Sequence, residues 1–138
     1  MSAQLAAPLH GPVTLSLPFA AESAGEVRRA LVSWLRHNGS DDERIEDVRL
    51  VATELVGNAL THAEPLANGS VLVRWQRNGG QLHLTVCDGG GETEPQARVA
   101  AAQDEHGRGL RIVEQLGARW WTERSRRVHA VHVEMPLV

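Results

Sequence analysis

A carboxylate and an amide lie four residues apart in the most apolar stretch of the chain. Glu54 and Asn58 fall between Val48 and Leu60, and on a helix this spacing makes them neighbours on one face. A carboxylate buried without a partner is costly, so the pair is a candidate functional site unless Glu54 pairs with an arginine and Asn58 caps a loop. Gly57, which costs about 1 kcal/mol relative to alanine inside a helix, indicates a close approach to the backbone there.

Two glycine-containing segments are further candidates. Asp88 precedes Gly89-Gly90-Gly91, and Gly107-Arg108-Gly109-Leu110 leads into an apolar-periodic stretch. The second segment would present free N–H groups and the positive end of a helix dipole to an anion. Each segment also has a simpler interpretation, because Asp-Gly is common in turns and Gly-x-Gly suits a tight loop-to-helix connection. The chain contains no lysine, which excludes a phosphate loop built on Gly-Lys-Ser/Thr.

Two helices are predicted ahead of and around the first candidate pair. Each begins with a capping-box pattern, Ser23 with Glu26 and Ser40 with Glu43. The first helix is expected to end at Asn38-Gly39 and the second at about residue 63, before a proline. We expect the second helix to be apolar on nearly every side from residue 48 to residue 60, and therefore deeply buried.

Strands supply the rest of the architecture. Apolar residues alternate over residues 13–17 as in a short strand. The runs 70–77 and 81–88 flank Asn78-Gly79-Gly80, a strong hairpin signal. If the apolar faces of both runs lie on one side of the sheet, period-2 counting places Asp88 on the core side. A loop with one short helical turn around residues 96–103, a helix ending at Gly117 and a closing hairpin over 119–123 and 128–136 complete the prediction.

Composition limits the classes of protein that this chain can belong to. The 138 residues suit one globular domain over residues 13–138, preceded by a loose tail over residues 1–12. Cys87 is the single cysteine, so no internal disulfide forms, and no cysteine–histidine cluster has the spacing of a zinc site. All 14 basic residues are arginines scattered along a chain of net charge -3, so direct nucleic-acid binding is not expected. The absence of a signal peptide or membrane span predicts a cytoplasmic protein with no membrane partner.

The order and spacing of the three candidate motifs resemble a known family. E-L-V-G-N-A-L-T-H-A on a helix, V-C-D-G-G-G after a hairpin strand and H-G-R-G-L-R-I-V opening another helix are similar to the three nucleotide-binding boxes of the GHKL superfamily. The small size and the N-terminal strand and helix look most like anti-sigma-factor serine/threonine kinases. The resemblance implies an α+β fold, a two-layer sandwich in which a mixed, mostly antiparallel sheet packs against three helices.

The resemblance also implies roles for individual residues. Glu54 would be the general base, and Asn58 would bind the Mg²⁺ ion that bridges the ATP phosphates. Asp88 would accept a hydrogen bond from the adenine amino group, with Gly90 letting the base lie close. The phosphates would be held by the second glycine segment, and His62 would line the same pocket. The residues of that segment are Gly107, Arg108, Gly109 and the amide of Leu110, with residues 91–106 as a lid.

The sequence departs from the family pattern at two positions. Val128-His129-Ala130 stands where a Gly-Lys-Thr-like step is common, so Ala130 is predicted to replace the threonine that supports the nucleotide pocket. Glu92 stands where a further glycine is common. Neither departure affects Glu54 or Asn58.

The resemblance implies a kinase that uses ATP and Mg²⁺ to phosphorylate a small antagonist protein and that alternately sequesters a sigma factor, as a homodimer. A second hypothesis is a nucleotide-gated switch that acts by sequestration with little or no phosphotransfer. A third is a two-layer domain with no nucleotide site, which requires three motifs to coincide by chance. A detached histidine-kinase catalytic domain would share the ATP site, but the sequence offers no phosphoacceptor helix.

Overall fold

The computed structural model describes residues 10–91, 108–116 and 118–137. Its elements follow the predicted order. They are β1 (Val13–Pro18), α1 (Glu22–His37), α2 (Asp42–His62), β2 (Ser70–Asn78), β3 (Gln81–Asp88), α3 (Arg108–Gln115), β4 (Arg119–Ser125) and β5 (Val128–Pro136). The fold is therefore α+β, as the sequence predicts.

The five strands form one open sheet in the order β1-β2-β3-β5-β4, and every pairing is antiparallel. Within the described residues no parallel pair adds to it, so the sheet is simpler than the mixed one expected. One face carries the aliphatic core positions of the strands. The register aligns Leu15 with Val73, Val73 with Val86, and Trp75 with Leu84. Because successive side chains in a strand alternate between faces, this register puts the apolar residues of all three strands together under the helices.

The predicted hairpin is confirmed, and with it the orientation of Asp88. Asn78 pairs with Gln81 across Gly79-Gly80, and Gly79 has a φ of 65°, the left-handed conformation that glycine adopts most easily. Every second residue of β3 from Leu82 onward is therefore buried on the core side of the sheet. Asp88 is 0% exposed on the core-facing side of the sheet.

Both predicted N-caps differ from those in the structure. Helix α1 begins one residue before Ser23, and the Ser23 hydroxyl donates to the Pro18 carbonyl instead of capping the helix. Helix α2 is capped by Asp41, whose carboxylate accepts the backbone N–H of Arg44 at 2.8 Å. A carboxylate also stabilises the positive end of the helix dipole. The N-cap of α2 is therefore Asp41, one residue after the predicted Ser40.

Helix α2 is buried on one face only, which corrects the expectation that it is enclosed on nearly every side. Its buried residues follow the helical period, whereas Leu50 is 45% exposed and Arg49 is also exposed. Glu54 and Asn58 lie at the border between these faces, each half-buried. The long apolar stretch concealed this border because Leu50 is an aliphatic residue on the outer surface.

The Trp120-Trp121 pair places one indole on each face of β4. Trp120 packs against the core, and Trp121 stacks on His132 with ring centroids 5.0 Å apart on the opposite face. Of the two tryptophans, only Trp120 therefore packs against the hydrophobic core. Within the described parts of the chain, no helix has the length and apolar character needed to cross a membrane.

Candidate functional site

The Glu54 and Asn58 side chains project from one face of α2, as their spacing predicts. Within the described ranges, the Glu54 carboxylate forms no ion pair or hydrogen bond, so the alternative in which Glu54 pairs with an arginine has no support there. A Cβ built on Gly57 would meet no atom within 4 Å. The close approach expected at Gly57 is thus not made by the described protein atoms.

Asp88 ends β3 beneath the helices, and the turn that follows holds its carboxylate. The Gly90 N–H donates to Asp88 Oδ1 at 2.7 Å. Gly90 has a φ of 80°, so glycine is favoured here by its backbone conformation. A Cβ on Gly90 would lie 3.5 Å from the Arg124 guanidinium, at ordinary contact distance. The structure therefore gives Gly90 a reason to be glycine that is independent of any bound base.

A pair of backbone hydrogen bonds joins the end of α2 to the turn after β3. The Gly89 N–H donates to the Glu64 carbonyl at 2.8 Å, and the Glu64 N–H donates to the Gly90 carbonyl at 2.7 Å. A Cβ on Gly89 would lie 2.1 Å from the Pro65 carbonyl oxygen, a separation that no side chain can occupy. Gly89 thus allows the two backbones to approach, and this contact brings the α2 motif and the Asp88 motif together.

His129 is the residue next to Asp88 on the neighbouring strand. The β3–β5 register aligns Asp88 with His129 and Cys87 with Ala130, so Ala130 lies on the opposite face of the sheet. The prediction that Ala130 occupies the threonine position in the pocket is therefore wrong by one residue. The Nδ1 atom of His129 lies 3.6 Å from Asp88 Oδ1. His129 was not among the predicted site residues, although counting back by two from Met135, Val133 and Val131 would have placed it on the core side.

The imidazole of His129 is buried without a hydrogen bond. It is 1% exposed, and neither ring nitrogen has a partner in the described part of the chain. The 3.6 Å separation from Asp88 exceeds the usual hydrogen-bond range. A buried polar group left unsatisfied costs about 1–3 kcal/mol. A hydrogen-bond partner for this imidazole would have to come from outside the described residues.

Arg124 lies next to His129 on β4, and the register aligns the two residues. Its guanidinium donates to the Gly91 carbonyl at 3.2 Å and lies over Gly90. Asp88, His129 and Arg124 therefore form a polar row across the ends of three adjacent strands. Arg124, like His129, was missed from the sequence because its position depends on strand pairing.

The remaining predicted site residues are placed only in part. His62 is exposed in the last turn of α2, and its carbonyl lies 3.7 Å from the position of a Cβ on Gly91. Arg108, Gly109 and Leu110 begin α3, which packs against α2. Gly107 and Glu92 lie outside the described residues, as do the side chains of Arg108 and Leu110 and nearly all of the predicted lid.

A preformed metal cage is not part of the described site. Among the described residues, no group of three or more histidine, cysteine or acidic side chains could hold a metal ion. Asn58 supplies one amide oxygen, and Mg²⁺ commonly takes one or two protein ligands together with substrate phosphates and waters. The residues present therefore fit a metal ion carried in with a nucleotide.

Residues 17–134 match the model of the family described as the histidine kinase-like ATPase domain, and the chain belongs to that family. The match covers β2, β3, both glycine segments and the whole of α2. ATP is accordingly the nucleotide that membership implies. No curated protein sequence matches the chain significantly.

Solved structures share the fold. The RsbU and RsbW domains of Rv1364c from Mycobacterium tuberculosis align with a TM-score of 0.70 at 22% identity, covering 91% of this chain and 32% of that one. The chain thus spans about a third of the mycobacterial chain in that structure. SiaB in the SiaB-SiaC complex from Pseudomonas aeruginosa aligns with a TM-score of 0.67 at 15% identity. The alignment covers 89% of this chain and 88% of that one. The blue-light activated histidine kinase EL346 from Erythrobacter litoralis aligns with a TM-score of 0.58 at 26% identity. That alignment covers 71% of this chain and 32% of the kinase chain.

Proposed function

We propose that the protein binds ATP with Mg²⁺ and transfers the γ-phosphate to a serine or threonine of a partner protein. The observation that carries this proposal is the junction between the α2 motif and the Asp88 turn through Gly89, Gly90 and Glu64. It holds the end of α2, the helix that carries the half-buried Glu54 and Asn58, against the turn that follows the buried Asp88. Helix α3 also packs against α2. This arrangement supports one site built from the motifs that the family resemblance assigns to nucleotide binding.

The adenine end of the proposed site lies at the buried polar row. The Asp88 carboxylate is an acceptor, and the amino group of adenine is a donor. Burial makes this pairing selective, because a base that presents an acceptor to the carboxylate leaves both groups unsatisfied. His129 and Arg124 flank this position. The orphaned nitrogens of His129 support a ligand with polar atoms in this region.

The phosphate end lies along α2 and the start of α3. We propose that Asn58 helps to hold the metal ion, and that backbone N–H groups of the segment from Gly107 to Leu110, whose last three residues begin α3, receive the phosphates. A metal ion held there would supply positive charge to offset the charge that develops on the phosphates. Glu54 would take the proton from the attacking hydroxyl. A general base of this kind contributes about 10²–10⁴-fold to the rate.

The partners follow from the same resemblance. RsbW shares a chain with RsbU in the mycobacterial structure, and SiaB forms a complex with SiaC, which supports a role in partner switching. We propose an antagonist protein as the phosphate acceptor, a sigma factor as the alternative partner, a homodimer as the assembly and the cytoplasm as the compartment. The single ATP-binding domain would occupy residues 13–138.

Calorimetric titration with ATP tests the nucleotide site, with and without Mg²⁺. We expect binding that is tighter with the metal ion, and Asn58→Ala should lose most of the difference because it removes the amide oxygen. The matched control is Asn68→Ala, since Asn68 lies in the turn before β2. Absence of ATP binding at millimolar concentration would contradict the proposal. Equal dependence on the metal ion in Asn58→Ala would remove Asn58 from the metal site.

Glu54→Gln separates catalysis from binding. The amide keeps the shape of the side chain but cannot accept the hydroxyl proton, so turnover should fall by about 10²-fold or more while the ATP affinity stays within about twofold. Release of labelled phosphate from γ-labelled ATP, with water as acceptor, measures turnover without the partner. Glu46→Gln, on the outer surface of α2, is the control. Unchanged turnover in Glu54→Gln would exclude the base role and favour a switch that acts by sequestration.

A further inference from the structure

Four of the β5 residues that pair with β3 face the core, and His129 is the polar one among them. The others on that face are Val131, Val133 and Met135, and they pack in or against the hydrophobic core. An imidazole in such a row costs free energy of desolvation unless its nitrogens are hydrogen-bonded. Both nitrogens lack such a partner among the described residues. The core packing of β5 therefore does not explain a histidine at this position.

The position of His129 relative to Asp88 restricts the ligand that would satisfy it. Nδ1 of His129 and Oδ1 of Asp88 are 3.6 Å apart, while Oδ1 already accepts the Gly90 N–H. The imidazole and the carboxylate thus present adjacent polar groups from neighbouring strands. A neutral imidazole has one N–H donor and one acceptor nitrogen, and an ionised carboxylate has acceptors only. A ligand edge that fits both groups carries a donor next to an acceptor.

Adenine has such an edge. Its 6-amino group is a donor, and a ring nitrogen acceptor flanks that group on either side, N1 on one and N7 on the other. We infer that His129 recognises the base of the bound nucleotide by donating a hydrogen bond to the ring nitrogen beside the amino group that Asp88 accepts. This inference rests on the proposed ATP site and adds a specificity-determining residue to it. Guanine carries an acceptor oxygen at the same carbon and is disfavoured beside the carboxylate.

Calorimetry with atom-deleted nucleotides tests the contact. In 1-deaza-ATP and 7-deaza-ATP a C–H group replaces one of the two ring nitrogens. The wild-type protein should bind one of these analogues about tenfold more weakly than ATP, the fold-change of a hydrogen bond worth about 1.4 kcal/mol. His129→Leu, which keeps the bulk but lacks both nitrogens, should bind ATP about tenfold more weakly and that analogue as tightly as ATP.

The control is His132→Leu, the same substitution on the opposite face of β5. It should retain both the ATP affinity and the discrimination of the wild type. His129→Gln restores an N–H donor and should recover part of the discrimination. Circular dichroism and the unfolding midpoint establish that each variant is folded before its affinity is interpreted.

The possible outcomes separate this inference from the function on which it rests. Loss of discrimination in His129→Leu alone supports the contact. If the wild type binds both analogues as tightly as it binds ATP, or if His129→Leu discriminates as the wild type does, the role of His129 is overturned and the ATP site stands. If the wild type binds neither ATP nor the analogues, the proposed function fails and the inference fails with it.

Discussion

Gly89 and Gly57 show how glycines in neighbouring motifs serve different purposes. A Cβ on Gly89 would overlap the Pro65 carbonyl at 2.1 Å, whereas a Cβ on Gly57 would meet nothing within 4 Å. Gly89 is therefore required by the fold itself. Gly57 lies in the interior of α2 at a cost in helix stability, on the face that carries Glu54 and Asn58, and no described atom lies close to its Cβ position.

The two glycines predict opposite effects on stability. Gly89→Ala should lower the free energy of unfolding by about 1–3 kcal/mol because the added methyl group separates the two hydrogen-bonded backbones. Gly57→Ala should raise it by about 0.5–1 kcal/mol through helix propensity. Urea unfolding measures both values. A stable Gly89→Ala protein would show that the junction between α2 and β3 is not as close as the structure has it.

At the scale of elements, the three strands β3, β5 and β4 place a polar cluster on the sheet face opposite the helices. His83 Nε2 and His132 Nδ1 are 3.0 Å apart, the Thr85 hydroxyl lies 3.1 Å from His132 Nδ1, and Glu123 accepts from His132 Nε2 at 2.6 Å. Partial burial lowers the pKa of His83 below its usual 6.5, with His132, Arg74 and Arg119 adding to the effect and Glu134 opposing it. The native state therefore favours neutral His83.

This lowered pKa predicts a loss of stability in mild acid. As the pH falls through about 6.5, the unfolded chain binds a proton that native His83 resists, so the free energy of unfolding decreases toward the lower native pKa. Urea midpoints at pH 7.5 and 5.5 should differ less in His83→Gln than in the wild type. His10→Gln, at an exposed position, should keep the wild-type difference. An identical difference in all three proteins would exclude His83 as a contributor.

At the scale of the whole molecule, the structure gathers charges that the sequence spreads out. Arg28, Arg29 and Arg36 on α1 and Arg49 on α2 line one groove of about 550 Å³ on the outer surface of the helices. Arg49 also pairs with Glu46 at 2.9 Å. Composition and net charge describe the chain as slightly acidic, but they do not indicate that four of its 14 arginines share one groove.

Local pattern determined much of this protein. Alternation in the strands, the helical period and the hairpin signal depend on neighbours within a few residues, and they were sufficient to predict eight elements and the core side for Asp88. Glu54 and Asn58 could be paired for the same reason, since four residues make one turn of helix. The three motifs in order were also sufficient to identify the family.

Only the tertiary structure decided which distant residues meet. The register of β3 with β5 places His129, not Ala130, beside Asp88, and a shift of one residue would reverse every side chain of the strand. The need for Gly89 arises from a carbonyl on another segment. Such choices depend on contacts between segments far apart in the chain, whose energies no local pattern contains.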